Sequence, residues 1–175
     1  AIKLDMSKAY DRVEWVFLSK VMQKMGFCPK WIQWILECIS SVSYSINMNG
    51  DKKGFIKPTR GLRQGDPLSP YLFLICAEGF SALLRKANRM GTLLGMKIAN
   101  EAPSLSHLFF ADDSLIFCRA KATEATQLMK VLNVYGRASG QLINKEKSSV
   151  FFSKNVKERQ KEEVLKVLEG MQQVY

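Results

Sequence analysis

Ser106-His107-Leu108-Phe109-Phe110-Ala111-Asp112-Asp113-Ser114-Leu115-Ile116-Phe117-Cys118 sets two apolar, β-prone runs on either side of a two-acid centre. Aromatic and branched residues favour strands, and Ala111-Asp112-Asp113 is short enough to turn the chain back on itself. The spacing therefore predicts a tight hairpin with both acids at its tip. An unpaired negative charge at the end of an apolar strand is costly, so a compensating positive charge is expected beside it. A divalent cation meets that need, and oxygen-only ligands suit Mg²⁺, which fills its remaining positions with water and phosphate. A bare Asp-Asp pair is more often a solvated turn. The flanking apolar runs and a further strand-end acid, Asp5 after Ile2-Lys3-Leu4, favour the metal.

Outward from the hairpin, Ile2 to Leu4 reads as a short strand. Asp11 with Glu14 resembles a capping box opening a helix toward Met25, and Gly26 ends it. Pro29 opens a second helix carrying Trp31, Trp34, Ile35 and Cys38, which stops near Ser40. Tyr44, Ile46 and Met48 alternate with polar neighbours, Asn49-Gly50 makes a turn, and Gly54 to Lys57 returns, forming a β-ribbon. Arg60 to Pro70 is a loop, in which Asp66-Pro67 supplies the N-cap and first-turn proline of the next helix. Leu68, Leu72, Ile75, Cys76, Gly79 and Leu83 make one face of that helix core. Thr123 caps another helix with Ala125, Leu128, Met129, Leu132 and Tyr135 on one face, closed by Ser139-Gly140. A strand pair around Leu142 and Val150 to Phe152 follows, then a charged helix from about Val156 to Glu169. This order predicts an α+β fold, with helices on one face of an antiparallel sheet.

The chain has 175 residues, the size of one domain or of a piece of a larger one. Its 47% hydrophobic and 24% charged residues supply a core and exclude a disordered tail. Lys and Arg number 26 against 16 Asp and Glu, a net charge of +10 that favours polyanionic partners, nucleic acid ahead of anionic membrane. The longest apolar runs, such as Leu72 to Ala77, fall far short of the roughly 20 residues of a bilayer-spanning helix, so no membrane partner is expected. Cys28, Cys38, Cys76 and Cys118 show no C-x-x-C spacing and there is one His, which makes a zinc site hard to assemble. Reduced, buried thiols are expected, and with them the nucleus or the cytoplasm. Ala1-Ile2-Lys3-Leu4-Asp5 has no initiator Met and no cleavage signal, and reads as a strand cut open in mid-domain.

Phe110-Ala111-Asp112-Asp113 resembles the Tyr/Phe-x-Asp-Asp motif of reverse transcriptases, with Phe in place of the commoner Tyr. Lys3-Leu4-Asp5-Met6-Ser7-Lys8-Ala9-Tyr10-Asp11 resembles the first aspartate motif of the same palm. Arg60-Gly61-Leu62-Arg63-Gln64-Gly65-Asp66-Pro67-Leu68-Ser69-Pro70 is similar to the R-G-x-x-Q-G-D-P-L-S-P signature of LINE-type, non-LTR retrotransposon enzymes. Ser139-Gly140-Gln141-Leu142-Ile143-Asn144, followed by Lys147-Ser148, resembles the next motif of that family, so the likeness spans nearly the whole chain.

The resemblance implies a polymerase palm over residues 1–155, with a fingers-side ribbon inserted near 43–58 and a charged peripheral helix at 156–175. The domain is then incomplete, lacking upstream fingers, a downstream primer grip and thumb, and an endonuclease. The implied activity is RNA-directed DNA polymerisation on an RNA template, from a DNA primer, with deoxynucleoside triphosphates and two Mg²⁺ ions, for which Mn²⁺ can substitute. The isolated chain is expected to be incompetent, since the parts that hold primer and triphosphate are missing.

Residue by residue, Asp5 and Asp112 become the main metal ligands and Asp113 a weaker third. Lys147, in competition with Lys145, becomes the lysine that protonates leaving pyrophosphate. Tyr10 would lie under the sugar and exclude a 2′-hydroxyl, and Met6 would offer its backbone to a phosphate. Gln64 and Gly65 would contact template and nucleotide, Arg63 a phosphate, and Arg85, Lys86, Arg89 and Lys97 a nucleic-acid backbone. Without the resemblance, Tyr10 is a core aromatic, Gln64-Gly65 a helix-entry turn, and Arg63 and the lysines solvated surface. His107 reads as a packing histidine. Two other readings stay open: an intron- or telomerase-type palm, which shares the metals but not the loop signature, and a non-catalytic remnant that binds nucleic acid by charge.

Overall fold

Five strands form the main sheet of the computed structural model, which describes residues 1–174. They are β1 (Ile2–Met6), β4 (His107–Phe110), β5 (Asp113–Ile116), β6 (Ile143–Phe151) and β7 (Gln172–Val174), in the order β4-β5-β1-β6-β7. All neighbours are antiparallel except β6 and β7. Along β1 the side chains alternate, with Ile2, Leu4 and Met6 buried while Lys3 and Asp5 face outward. That period of two gives the sheet one apolar face and one open face.

Helices cover the apolar face: α1 (Trp15–Lys24), α2 (Pro29–Ser40), α3 (Ser69–Arg89), α4 (Ala122–Ser139) and α5 (Glu158–Val167). Phe80 of α3 is 2% exposed and stacks on Phe109 of β4 at 5.3 Å and on Tyr135 of α4 at 4.7 Å, which ties helix, sheet and helix together. The α+β class predicted from element order is the one observed. The ribbon β2 (Tyr44–Met48) and β3 (Asp51–Ile56) stands apart as a two-stranded sheet with every residue exposed. Asn49 and Gly50, at φ +54° and +93°, make its turn.

Local details depart from the sequence expectations. No capping box forms at Asp11 and Glu14: α1 starts at Trp15, and Glu14 pairs instead with Arg60 at 3.2 Å. Helix α3 starts at Ser69 rather than after Asp66, whose Oδ1 accepts the Leu68 N–H at 2.8 Å in the preceding turn. Its buried stripe runs through Leu72, Phe73, Cys76, Phe80 and Leu84, leaving Leu68, Ile75 and Leu83 only partly covered. Thr123 lies exposed inside α4. The first turn is held instead by buried Glu124, which accepts from Leu94 N–H at 3.0 Å, Arg119 N–H at 3.2 Å and Arg119 Nε at 2.5 Å.

The expected strand pair around Leu142 and Val150 is the single strand β6. The charged end is not peripheral, because Val164 and Leu168 are buried and β7 pairs with β6. All four cysteines are free; Cys76 alone matches the buried expectation, and Cys118 is partly buried. Burial raises Cys76 to about 12 and Cys118 to about 11, while Cys28 and Cys38 are exposed.

His107, at the start of β4, is held at both ring nitrogens, by Ser81 Oγ at Nε2 and by Ser106 Oγ at Nδ1, each at 2.8 Å. Arg85 Nη1 also donates to Ser81 Oγ at 2.6 Å, which ties the imidazole to α3 through the shared hydroxyl. Burial, then the Arg85 charge, hold the His107 pKa below its ordinary value, with Glu78 opposing. The unfolded chain thus takes up a proton that the folded chain resists. Stability from this group is full above pH 6.5 and is lost as pH falls through the depressed folded value. Urea unfolding midpoints are expected to decline from neutral pH into that window, and His107→Asn is expected to flatten this part of the profile. An equally steep decline in the variant would reject the assignment.

Candidate active site

Register runs β1 toward the hairpin tip at its Asp5 end, although Asp5 itself does not line the cleft of Asp112. Strand β1 pairs Lys3 with Leu115 and Leu4 with Ser114, so one further step along the ladder brings Asp5 opposite Asp113. In the hairpin, Phe110 pairs with Asp113, which leaves Ala111 and Asp112 as the turn. Ala111 takes φ +51°, a left-handed conformation that costs a residue with a Cβ about 1–2 kcal/mol. Positive φ is what a two-residue hairpin turn demands, so the turn itself imposes this strain.

Asp112 lines a cleft of ≈540 Å³ with Tyr10, Gln64, Gly65, Asp66 and Pro67. Tyr10 reaches it from the turn after β1, where its ring stacks on Phe73 of α3 at 4.8 Å and 13°. That turn is locked from two sides. Gly61 N–H donates to Val13 C=O at 2.8 Å and Leu62 N–H to Tyr10 C=O at 2.9 Å. Gly61 is required there: its φ is +89°, and an added Cβ would stand 2.7 Å from the Asp11 carbonyl oxygen. From the other side, buried Gln141 donates Nε2 to Ala9 C=O at 2.7 Å. Gly65, at φ +82°, has open space where a side chain would begin, so its backbone is accessible to a ligand.

The three acids differ in their surroundings. Asp113 Oδ1 is paired with Lys3 Nζ at 3.3 Å, while the carboxylates of Asp5 and Asp112 have no hydrogen-bond or ion-pair partner among the described residues. Among those residues no three metal-ligating side chains are gathered closely enough to hold an ion between them. Two free carboxylates nevertheless fit Mg²⁺, which needs only one or two from the protein and takes its other oxygens from water and phosphate.

Other predicted residues lie elsewhere. Met6 buries its side chain in the core, leaving only its backbone for a ligand. Arg63 lines a second cleft of ≈470 Å³ toward the ribbon, with Tyr44 and Arg60, and not the cleft of Asp112. Lys145 and Lys147 are exposed on β6 and line neither of those two clefts. Arg85 of the basic cluster is engaged by Glu78 and Ser81. Lys3, Gln141 and Ser148 were missed as site residues. Lys3 was within reach of the period-two pattern that puts it on the face of Asp5. The other two fall within the quoted motif stretch, but their partners lie 132 and 143 residues away, so the motif does not show what they hold.

The model of the family "Reverse transcriptase (RNA-dependent DNA polymerase)" matches residues 1–168. The chain belongs to the reverse transcriptase family. An uncharacterized mitochondrial protein of Arabidopsis thaliana is 52% identical over 67 residues, covering 38% of this chain and 55% of that protein. The transposon TX1 uncharacterized 149 kDa protein of Xenopus laevis is 28% identical over 148 residues, 85% of this chain and 11% of that protein. A Pol polyprotein from retrotransposable element R2 of Popillia japonica is also 28% identical over 148 residues, 84% of this chain and 20% of that protein. This reverse transcriptase segment thus spans from 11% to 55% of the length of these relatives, two of which come from transposable elements, in line with the motif resemblance.

Proposed function

We propose that this chain is the catalytic palm of an RNA-directed DNA polymerase from a non-LTR retrotransposon, extending a DNA primer on an RNA template with deoxynucleoside triphosphates. The observation that carries this reading is the single cleft in which Tyr10, Gln64, Gly65 and Asp112 meet, although they come from three separated segments. A divalent ion, Mg²⁺ or Mn²⁺, supplies charge stabilisation of the attacking and leaving oxygens when bound. Asp5 and Asp112 hold it, and Asp113, shared with Lys3, contributes less. Tyr10 forms the wall against the sugar, with Phe73 behind it, and the Gln64-Gly65 backbone meets the nucleotide. The net charge of +10 supports a polyanionic partner. No helix among the described residues is long and apolar enough to cross a membrane. A non-catalytic remnant would have no use for the Asp112 carboxylate, without a partner among the described residues, at the wall of an open cleft.

Primer extension tests the reading. A protein that carries this chain within a complete polymerase is expected to extend a DNA primer on RNA only when Mg²⁺ or Mn²⁺ is supplied. The chain alone is expected to bind RNA and DNA weakly, with affinity falling steeply as salt rises, because neutralised phosphates release counterions. Extension that needs no divalent metal, or binding indifferent to salt, would contradict it.

A further inference from the structure

The ladder between β1 and β6 is broken beside Asp5. It pairs Ile2 with Val150 and Lys3 with Ser149, then resumes with Asp5 opposite Asn144 and Met6 opposite Ile143. Between Lys3 and Asp5, β1 has one residue, Leu4, while between Ser149 and Asn144, β6 has four, Lys145 to Ser148. Strand β6 therefore bulges immediately beside Asp5. Bulges at such places re-aim side chains and are built features of a site.

One side chain closes this bulge. Ser148 is 0% exposed; its Oγ accepts the Asp5 N–H at 3.1 Å and donates to the Asn144 carbonyl at 2.7 Å. Asn144 Oδ1 in turn accepts the Lys147 N–H at 3.3 Å. The hydroxyl thus spans from the Asp5 backbone to the far end of the bulge. The Asp5 carboxylate has no partner of its own among the described residues, so its direction is set from its backbone.

We propose that Ser148 is a positioning residue for Asp5, its hydroxyl fixing the angle at which the carboxylate leaves β1 toward the metal. The inference rests on the reading of Asp5 as a metal ligand. Partners that orient a metal's ligands influence affinity without touching the ion, so the effect is read in metal binding.

Mn²⁺ is titrated into the chain and followed by paramagnetic broadening of amide signals around the cleft. Asp5→Asn, Ser148→Ala and Ser148→Thr are compared with the wild type, each first shown folded by its amide spectrum. Asp5→Asn is expected to abolish the broadening. Ser148→Ala is expected to weaken Mn²⁺ binding by about tenfold or more, and Ser148→Thr, which keeps the hydroxyl, to restore most of it. Wild-type affinity in folded Ser148→Ala, with loss in Asp5→Asn, would overturn the positioning role and leave the metal reading standing. Wild-type affinity in Asp5→Asn would sink the metal reading, and the role of Ser148 with it. Equal losses in the folded Ala and Thr variants would assign the effect to packing and overturn the proposal. Should Ser148→Ala not fold, Ser148→Cys replaces it, with a partial loss expected and an unchanged affinity overturning the role.

Discussion

Asn in place of Asp112, or of Asp5, lowers templated nucleotide incorporation by about 10³-fold or more at saturating Mg²⁺, the scale on which loss of a preorganised charge at the reacting centre acts. Packing cannot account for such a loss. Asp112 is exposed at the tip of the hairpin, the half-buried Asp5 has no partner for its carboxylate among the described residues, and Asn matches Asp in size. Thermal unfolding of both variants is accordingly expected to match the wild type. Asp113→Asn is expected to lose less, because Lys3 already shares that carboxylate. The measurement is single-turnover extension by a polymerase that carries this chain. Normal rates in a folded Asp5→Asn or Asp112→Asn protein would remove these residues from catalysis, and a ranking with Asp113 first would show that the Lys3 pair gives way when metal binds.

Tyr10→Val, in the same protein, raises ribonucleotide use relative to deoxynucleotide use. The ring is fixed against Phe73 at 4.8 Å and lines the cleft with Asp112, so it cannot swing aside without losing that stack. A 2′-hydroxyl driven against a fixed ring meets a steric conflict of about 1–3 kcal/mol. Its removal corresponds to a change in the ratio on the order of tenfold to a hundredfold. The ratio of incorporation efficiencies for matched ribo- and deoxynucleotides measures it. An unchanged ratio, in a variant still active with deoxynucleotides, would make Tyr10 a core aromatic whose place beside the cleft is incidental.

Those parts of the chain that local chemistry controls were legible without coordinates. The hairpin of β4 and β5 follows from β-prone runs around a short turn, and helix α2 starts at Pro29 because that residue's missing N–H is an orphan there in any case. The ribbon turns at Asn49-Gly50 because these residues tolerate positive φ. Position at the ends of apolar strands marked Asp5, Asp112 and Asp113 as candidate ligands, and only the motif resemblance added Tyr10, Gln64 and Gly65. Pairings across the chain were not legible. Nothing near Leu142 announces that β6 runs unbroken beside β1 with a bulge, that Ser148 receives the Asp5 amide, or that Gln141 braces the turn of Tyr10. Motif order likewise could not separate Gln64, which lines both clefts, from Arg63, which lines only the one away from Asp112. A turn or a helix start depends on the dihedral preferences of a few neighbouring residues. A strand's partner and register are settled only when the whole apolar face is buried at once, and that collective packing decides which charges meet at the open end of the sheet.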